Sequence, residues 1–187
     1  MRSPTDFIAK PMRGRRYDNT KDIGGIEFIV STSEEDHTFS NRYAEVVATP
    51  LGYSGPIVPG DTLLVHHNVF KHYYDMKGRR RSGKSFFRDD QFLIDTEQFF
   101  LYKHDDNWNA VGRFCFVKPV PVEDSFIKKV GNEEPLMAEI VYPSEYLIQQ
   151  GVKTGDKVIY EPDSEYEFTV DDEKLFRMYE HQIKVVL

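Results

Sequence analysis

Ala44-Glu45-Val46-Val47, followed by Gly60-Asp61-Thr62-Leu63-Leu64-Val65 and by Asp89-Asp90 with an apolar run to Tyr102, is written a second time in this chain. The same pieces return in order as Ala138-Glu139-Ile140-Val141, Gly155-Asp156-Lys157-Val158-Ile159-Tyr160, and Asp171-Asp172 with a run to Val186. Each copy opens alike, Phe7-Ile8-Ala9-Lys10-Pro11 being answered by Phe116-Val117-Lys118-Pro119. Recurrence in a fixed order marks a duplicated supersecondary unit, so the chain reads as two versions of one small β module.

The spacing shows where the copies differ. Ala44 and Ala138 stand 94 positions apart and Gly60 and Gly155 stand 95 apart, whereas Asp89 and Asp171 are separated by only 82. The first copy therefore carries about a dozen extra residues between Asp61 and Asp89, and more between its opening strand and Ala44. Insertions between matching strands fall in loops, where a scaffold carries function. The 187 residues divide into modules of roughly 90, a size that can just bury its own core. The boundary is expected in the polar stretch Lys103 to Gly112, giving modules over residues 1–107 and 108–187.

Short segments rich in β-branched and aromatic residues, punctuated by Gly, Pro, Asn and Asp, predict an all-β fold of the small-barrel or sandwich kind. They are Ile26 to Val30, Tyr43 to Ala48, Thr62 to His66, Phe92 to Ile94, Phe99 to Tyr102, Phe114 to Val117, Met137 to Tyr142, Lys157 to Tyr160, Glu167 to Val170, Leu175 to Tyr179 and Ile183 to Val186. One helical turn is predicted after Pro143, with Ser144 as N-cap and Gly151 as stop. Forty per cent apolar and 29 per cent charged residues are ordinary globular usage. No stretch approaches the roughly 18 apolar residues of a membrane span, and Met1-Arg2-Ser3-Pro4-Thr5 has no apolar secretion core. The lone Cys115 cannot form an internal disulfide, which suits a reducing compartment. The expectation is a soluble protein of the cytoplasm.

Read in order, Phe7-Ile8-Ala9-Lys10, Thr20-Lys21-Asp22-Ile23-Gly24-Gly25-Ile26, Ala44-Glu45-Val46-Val47, Val58-Pro59-Gly60-Asp61-Thr62-Leu63-Leu64-Val65, Phe92-Leu93-Ile94 and Phe99-Phe100-Leu101-Tyr102 resemble the GroES-type co-chaperonin family. With the second copy counted, the resemblance covers nearly the whole chain. It implies two tandem GroES-like small β-barrels, a ring formed by self-association, and a lid function on a double-ring chaperonin that itself binds and hydrolyses the ATP. It implies no enzyme activity and no cofactor for the chain. Tandem members of the family occur in plastids and divergent single-barrel members are carried by bacteriophages, so a phage-encoded chain would act in the host cytoplasm. The resemblance further implies that Gly24, Gly25, Ile26, Glu27 and Phe28 form the chaperonin-binding loop, with Ile26 and Phe28 as apolar anchors. Glu27 departs from the apolar triplet of the family. The second copy has only Phe126-Ile127 in the corresponding region.

Other readings compete for the remaining residues. The net charge of −7 argues against nucleic acid as a general partner. Positive charge is concentrated at Arg13, Arg15 and Arg16 and at Lys77, Arg79, Arg80, Arg81, Lys84 and Arg88, where solvated loop charge is the plain explanation. Phe70, Tyr73, Tyr74, Phe86 and Phe87 interleave with Arg79, Arg80, Arg81 and Lys84. That mixture suits a protein interface, and less well a single-stranded nucleic-acid surface. Gly78-Arg79-Arg80-Arg81-Ser82-Gly83-Lys84-Ser85 satisfies the phosphate-loop pattern, but the following residues read as a strand where that motif needs a helix. Adjacent His66 and His67, taken as strand residues, are expected to point to opposite faces and to hold no metal. The zinc ligands of the alcohol dehydrogenases, which share a GroES-like domain, have no counterpart. Asp89-Asp90 and Asp171-Asp172 are expected to form turns. The alternatives to a lid are thus a β-barrel structural or assembly protein that has lost chaperonin binding and, more weakly, a single-strand binder.

Overall fold

The computed structural model describes residues 1–17, 20–23, 26–29, 40–121 and 133–187, with the backbone alone for 20–23 and 26–29. The chain is all-β and divides into two compact units, Met1–Asn107 and Trp108–Leu187. In the first, the strands are β1 (Phe7–Pro11), β2 (Thr20–Ile23), β3 (Ile26–Ile29), β4 (Tyr43–Ala48), β5 (Thr62–Val65), β6 (His72–Tyr74), β7 (Arg80–Ser82), β8 (Phe86–Arg88), β9 (Gln91–Ile94) and β10 (Phe99–His104). After the junction strand β11 (Asn107–Ala110) come β12 (Phe114–Pro121), β13 (Glu133–Tyr142), the short helix α1 (Glu145–Gln149), β14 (Lys157–Tyr160), β15 (Tyr166–Val170), β16 (Glu173–Tyr179) and β17 (Ile183–Val186). All pairings described are antiparallel.

The duplication read in the sequence is present in the hydrogen-bond register. The large sheet of the first unit runs β10-β5-β4-β1-β9-β8, and that of the second runs β17-β14-β13-β12-β16-β15, so each strand meets its counterpart's neighbours. Both orders are open-ended, and neither sheet closes on itself. In the first unit Ile8 pairs with Ala48, Ala9 with Val46 and Lys10 with Glu45; in the second Phe116 pairs with Tyr142, Val117 with Ile140 and Lys118 with Glu139. The irregularity between Ile8 and Ala9 recurs between Phe116 and Val117. A register slip by one residue would turn every side chain to the wrong face, so this agreement reflects one inherited core pattern.

The turns repeat as closely as the strands. Gly60 and Gly155 have φ of 98° and 93°, in the left-handed region open to glycine. Gly60 N donates to Val46 O at 2.8 Å and Gly155 N donates to Ile140 O at 2.8 Å. The next residue caps the turn with its side chain: Asp61 Oδ2 accepts from Val58 N at 2.8 Å, and Asp156 Oδ2 from Lys153 N at 2.8 Å. Gln98 Oε1 accepts from Asp95 N at 3.2 Å, and Gln182 Oε1 accepts from Tyr179 N at 2.8 Å. Asp89-Asp90 (φ 44° and 70°) and Asp171-Asp172 (φ 47° and 66°) join β8 to β9 and β15 to β16. Two successive left-handed residues make the hairpin turn whose twist matches the strands, and Asp tolerates that conformation better than most residues. These acid pairs are turn formers.

Side-chain alternation supplies the cores. Phe7, Ala9, Val46, Leu64, Phe92, Ile94, Phe99 and Leu101 are buried in the first unit, where Phe7 meets Phe99 edge-on at 5.2 Å. Cys115, Val117, Ala138, Ile140, Val158, Phe176 and Met178 form the second core. Burying one such large side chain contributes on the order of 1.5–3 kcal/mol. The units differ in what fills the opening between the paired strands. In the first, Tyr53 packs on Phe7 with ring centroids 5.0 Å apart. In the second, α1 drops Leu147 into the core, and Ser144 caps that helix by accepting from Leu147 N at 3.2 Å.

Two predictions follow from this packing. Cys115 is fully buried, its Sγ lies 3.6 Å from Met178 O, and burial pushes its thiol up to about 12. The thiolate is the reactive form, so a thiol-specific chromogenic reagent should modify Cys115 only at the rate of unfolding. Rapid modification of the native protein at neutral pH would contradict this core. The second concerns His104, whose Nδ1 lies 2.7 Å from Oδ1 of the buried Asp61. That hydrogen bond, helped by the charges of Asp105 and Asp61, raises the His104 pKa above its ordinary value. A raised folded-state pKa stabilises the fold below the unfolded value of about 6.5 and loses that contribution as pH climbs through the folded value. Thermal melts of His104→Gln should therefore fall below those of the parent in mild acid and converge with them in alkali.

Candidate interaction surface

The residues of the proposed chaperonin loop are only partly within view. Gly24 and Gly25 lie outside the described residues, as do the polar residues Ser31 to Asp36 that follow. Ile26, Glu27 and Phe28 belong to β3, which pairs with β2 in the register Ile23 to Ile26, Asp22 to Glu27, Lys21 to Phe28 and Thr20 to Ile29. Phe126-Ile127 also lies outside the described residues.

The insertion between β5 and β8 is fully described and has a defined build. After β5 the chain turns through His66 to Phe70 and forms the hairpin β6–β7, in which His72 pairs with Ser82, Tyr73 with Arg81 and Tyr74 with Arg80. Its tip is organised by Asp75. Oδ1 accepts from Lys77 N at 2.9 Å and from Arg79 N at 3.0 Å, while Oδ2 accepts from Arg79 Nε at 3.0 Å and Arg81 Nε at 3.3 Å. These donors, led by the Arg79 amide, hold the Asp75 carboxyl below the usual carboxylate range. The tip is thus a preformed turn carrying an arginine pair.

Arg16, far away in sequence, ties this hairpin to the sheet. Its Nη1 donates to Ser82 Oγ at 2.9 Å and lies 3.2 Å from His72 Nε2, and its Nε donates to Asp90 Oδ1 at 3.4 Å. The guanidinium sits 5.0 Å over the Phe86 ring and 4.8 Å over the Phe92 ring. Tyr17 adds a second tie, its hydroxyl accepting from His72 N at 3.0 Å. Arg16 is therefore a structural clasp and not part of a solvated basic cluster with Arg13 and Arg15, as its charge alone suggested. Its partners are 56 to 74 residues away, so no local signal pointed to the role.

Two further expectations change, and one stands. Phe70 is wholly buried, edge-on to Phe92 at 4.8 Å, and belongs to the core and not to a surface. Tyr73, Tyr74, Phe86 and Phe87 stay 48, 49, 36 and 40 per cent exposed, and Arg79, Arg80, Arg81 and Lys84 are exposed with them. His66 and His67 do not face apart. β5 ends at Val65, the two fall in the following turn, and their rings lie 4.0 Å apart. His72 is held by Arg16 and does not join them, and no group able to hold a metal ion occurs among the described residues.

The phosphate-loop pattern over residues 78–85 is hairpin tip, strand β7 and turn. Ser85 is buried, its Oγ accepting from Gln98 Nε2 at 3.1 Å, and the next element is strand β8. The helix N-terminus that would present amides to a phosphate is not built here. What the insertion can do chemically is present half-exposed aromatic rings beside guanidinium and ammonium groups on a braced hairpin, which is the composition of a binding surface.

The split between core and surface is measurable. Phe70→Ala should cost about 3–5 kcal/mol in chemical denaturation, whereas Tyr73→Ala should stay within about 0.5 kcal/mol. Equal losses at both positions would mean that the aromatic residues of the insertion form one packed cluster. A scan against protein-family models finds no match to this chain, and no curated protein matches its sequence.

Proposed function

We propose that the chain is a non-enzymatic, co-chaperonin-like lid: two tandem GroES-like modules of the small-barrel kind that form a ring, cap a double-ring chaperonin in the cytoplasm and assist protein folding. The observation that carries this reading is the matched register of the two units, strand for strand and turn for turn, on a chain whose motifs occur in the order of that family. A duplicated sheet with open edges fits a protein that works by shape and contact.

In this reading Gly24, Gly25, Ile26, Glu27 and Phe28 make the chaperonin contact, and Ile26 and Phe28 supply its apolar area. Each contact is small, with two apolar side chains. Several copies in a ring engage together, and effective concentration raises the avidity. ATP is bound and hydrolysed by the partner, and this chain contributes no chemistry. Glu27 within the contact, together with the braced aromatic and basic insertion, favours one second reading, an assembly protein that keeps the duplicated fold and no longer docks on a chaperonin.

The two are separated by light scattering behind size exclusion, run on the protein alone and with a double-ring chaperonin with and without ATP. A lid elutes as a multi-subunit species and joins the chaperonin only with nucleotide, and Ile26→Ser with Phe28→Ser abolishes the joining while leaving the free species intact. A protein that never joins the chaperonin under any nucleotide condition is the assembly protein instead.

A further inference from the structure

The duplication places two connectors at the same position of the two sheets, and their charges are opposite. In the first unit β5 is joined to β8 by the insertion, and residues 71–88 carry seven Lys or Arg against one acid. In the second, β14 is joined to β15 by residues 161–165, Glu161-Pro162-Asp163-Ser164-Glu165, with three acids and no base. Both sets are presented outward: Lys77, Arg79, Arg80, Arg81, Lys84 and Arg88 are exposed, and so are Glu161, Asp163 and Glu165.

The asymmetry extends to whole units. Residues 1–107 hold fifteen Lys or Arg against sixteen Asp or Glu, and residues 108–187 hold nine against fifteen, so nearly all of the net charge of −7 belongs to the second unit. Beside the cations of the insertion stand the half-exposed rings of Tyr73, Tyr74, Phe86 and Phe87. Aromatic and arginine side chains together are what protein interfaces enrich.

We propose that the insertion docks on the acidic β14–β15 connector of a second copy of this chain. Each copy offers both halves, so the contact is heterologous, runs head to tail and closes into a ring where the rotation permits. Existing ties do not prevent it. Glu161 pairs with Lys184 at 3.2 Å across an exposed surface, and exposed pairs of this kind exchange at little cost. Arg16 and Asp75 hold the hairpin in shape before docking, which lowers the entropy lost on association. An acidic chain with one basic face also discriminates against nucleic acid, since its second unit repels phosphate. The inference rests on the self-assembly that the lid reading requires: a parent chain that stays monomeric counts against both, whereas folded charge-reversed variants that assemble as the parent does overturn this contact alone and leave the lid reading standing.

The test uses full-length protein in sedimentation or light scattering over a dilution series at about 0.05 M and about 0.5 M salt, conditions that differ severalfold in screening length. Assembly should weaken on the order of tenfold or more at the higher salt. One variant carries Lys77→Glu, Arg80→Glu, Lys84→Glu and Arg88→Glu, which turns residues 71–88 from seven bases against one acid to three against five and leaves Arg79 and Arg81 on Asp75; another carries Glu161→Lys and Glu165→Lys, and each is checked for folding by its thermal melt. Alone, each variant should remain unassembled. Mixed, they should assemble, because every insertion then faces a connector of opposite charge. A parent chain that stays monomeric at both salts overturns the proposal, and so do folded variants that assemble alone as the parent does. Retarded migration of a labelled single-stranded oligonucleotide by a parent chain that does not self-assemble would assign the insertion to nucleic acid and equally overturn it.

Discussion

Everything in this molecule hangs on the pairing of an opening strand with two neighbours, β1 between β4 and β9, and β12 between β13 and β16. Because successive side chains leave a strand on opposite faces, these ladders decide at once which residues reach the core. Ala9 opposite Val46 and Phe92, and Val117 opposite Ile140 and Phe176, are the same decision made twice. The shared irregularity after Ile8 and after Phe116 shows that even the local departure from regular pairing belongs to the pattern. With the central ladder set, the flanking turns need few further specifications. A glycine at positive φ and an aspartate that accepts from the turn's own amide suffice at Gly60-Asp61 and at Gly155-Asp156.

On that common base the two units have diverged where backbone register does not constrain them. The second unit spends its connection between β13 and β14 on a capped helical turn that delivers Leu147 to the core; the first uses Tyr53 against Phe7. Between β5 and β8 the first unit has grown a hairpin that the second lacks. Such a graft onto the edge of a sheet must be braced or it costs order elsewhere. Arg16 supplies the brace with a guanidinium shared among Ser82, His72 and Asp90 and laid over two phenylalanine rings. That single side chain couples the end of β1 to the surface on which the proposed self-docking depends.

Much of the fold was legible in the sequence. Order and spacing of the repeated segments, their β-branched and aromatic content, and the Gly, Asn and Asp between them are local properties, and local properties determine strands and turns. Ser144 as a cap and the Asp-Asp pairs as turns were readable for the same reason. The site was less legible. Phe70 and Tyr73 stand three residues apart with similar chemistry, yet one is core and the other is half exposed. His66 and His67 were misjudged because the strand stops at Val65, one residue earlier than the apolar run suggests.

By itself the sequence determined a duplicated all-β chain, its turn residues and the sign of the charge on each connector, since periodicity, punctuation and charge are additive along the chain. Only the tertiary structure decided that Arg16 is a clasp, that His104 pairs with Asp61, that Phe70 lies inside, and that the basic and acidic connectors occupy matching places on two like sheets. Those facts depend on which distant segments are brought within a few ångströms of one another. Hydrogen bonds, ring contacts and burial act over that range and are indifferent to separation along the chain.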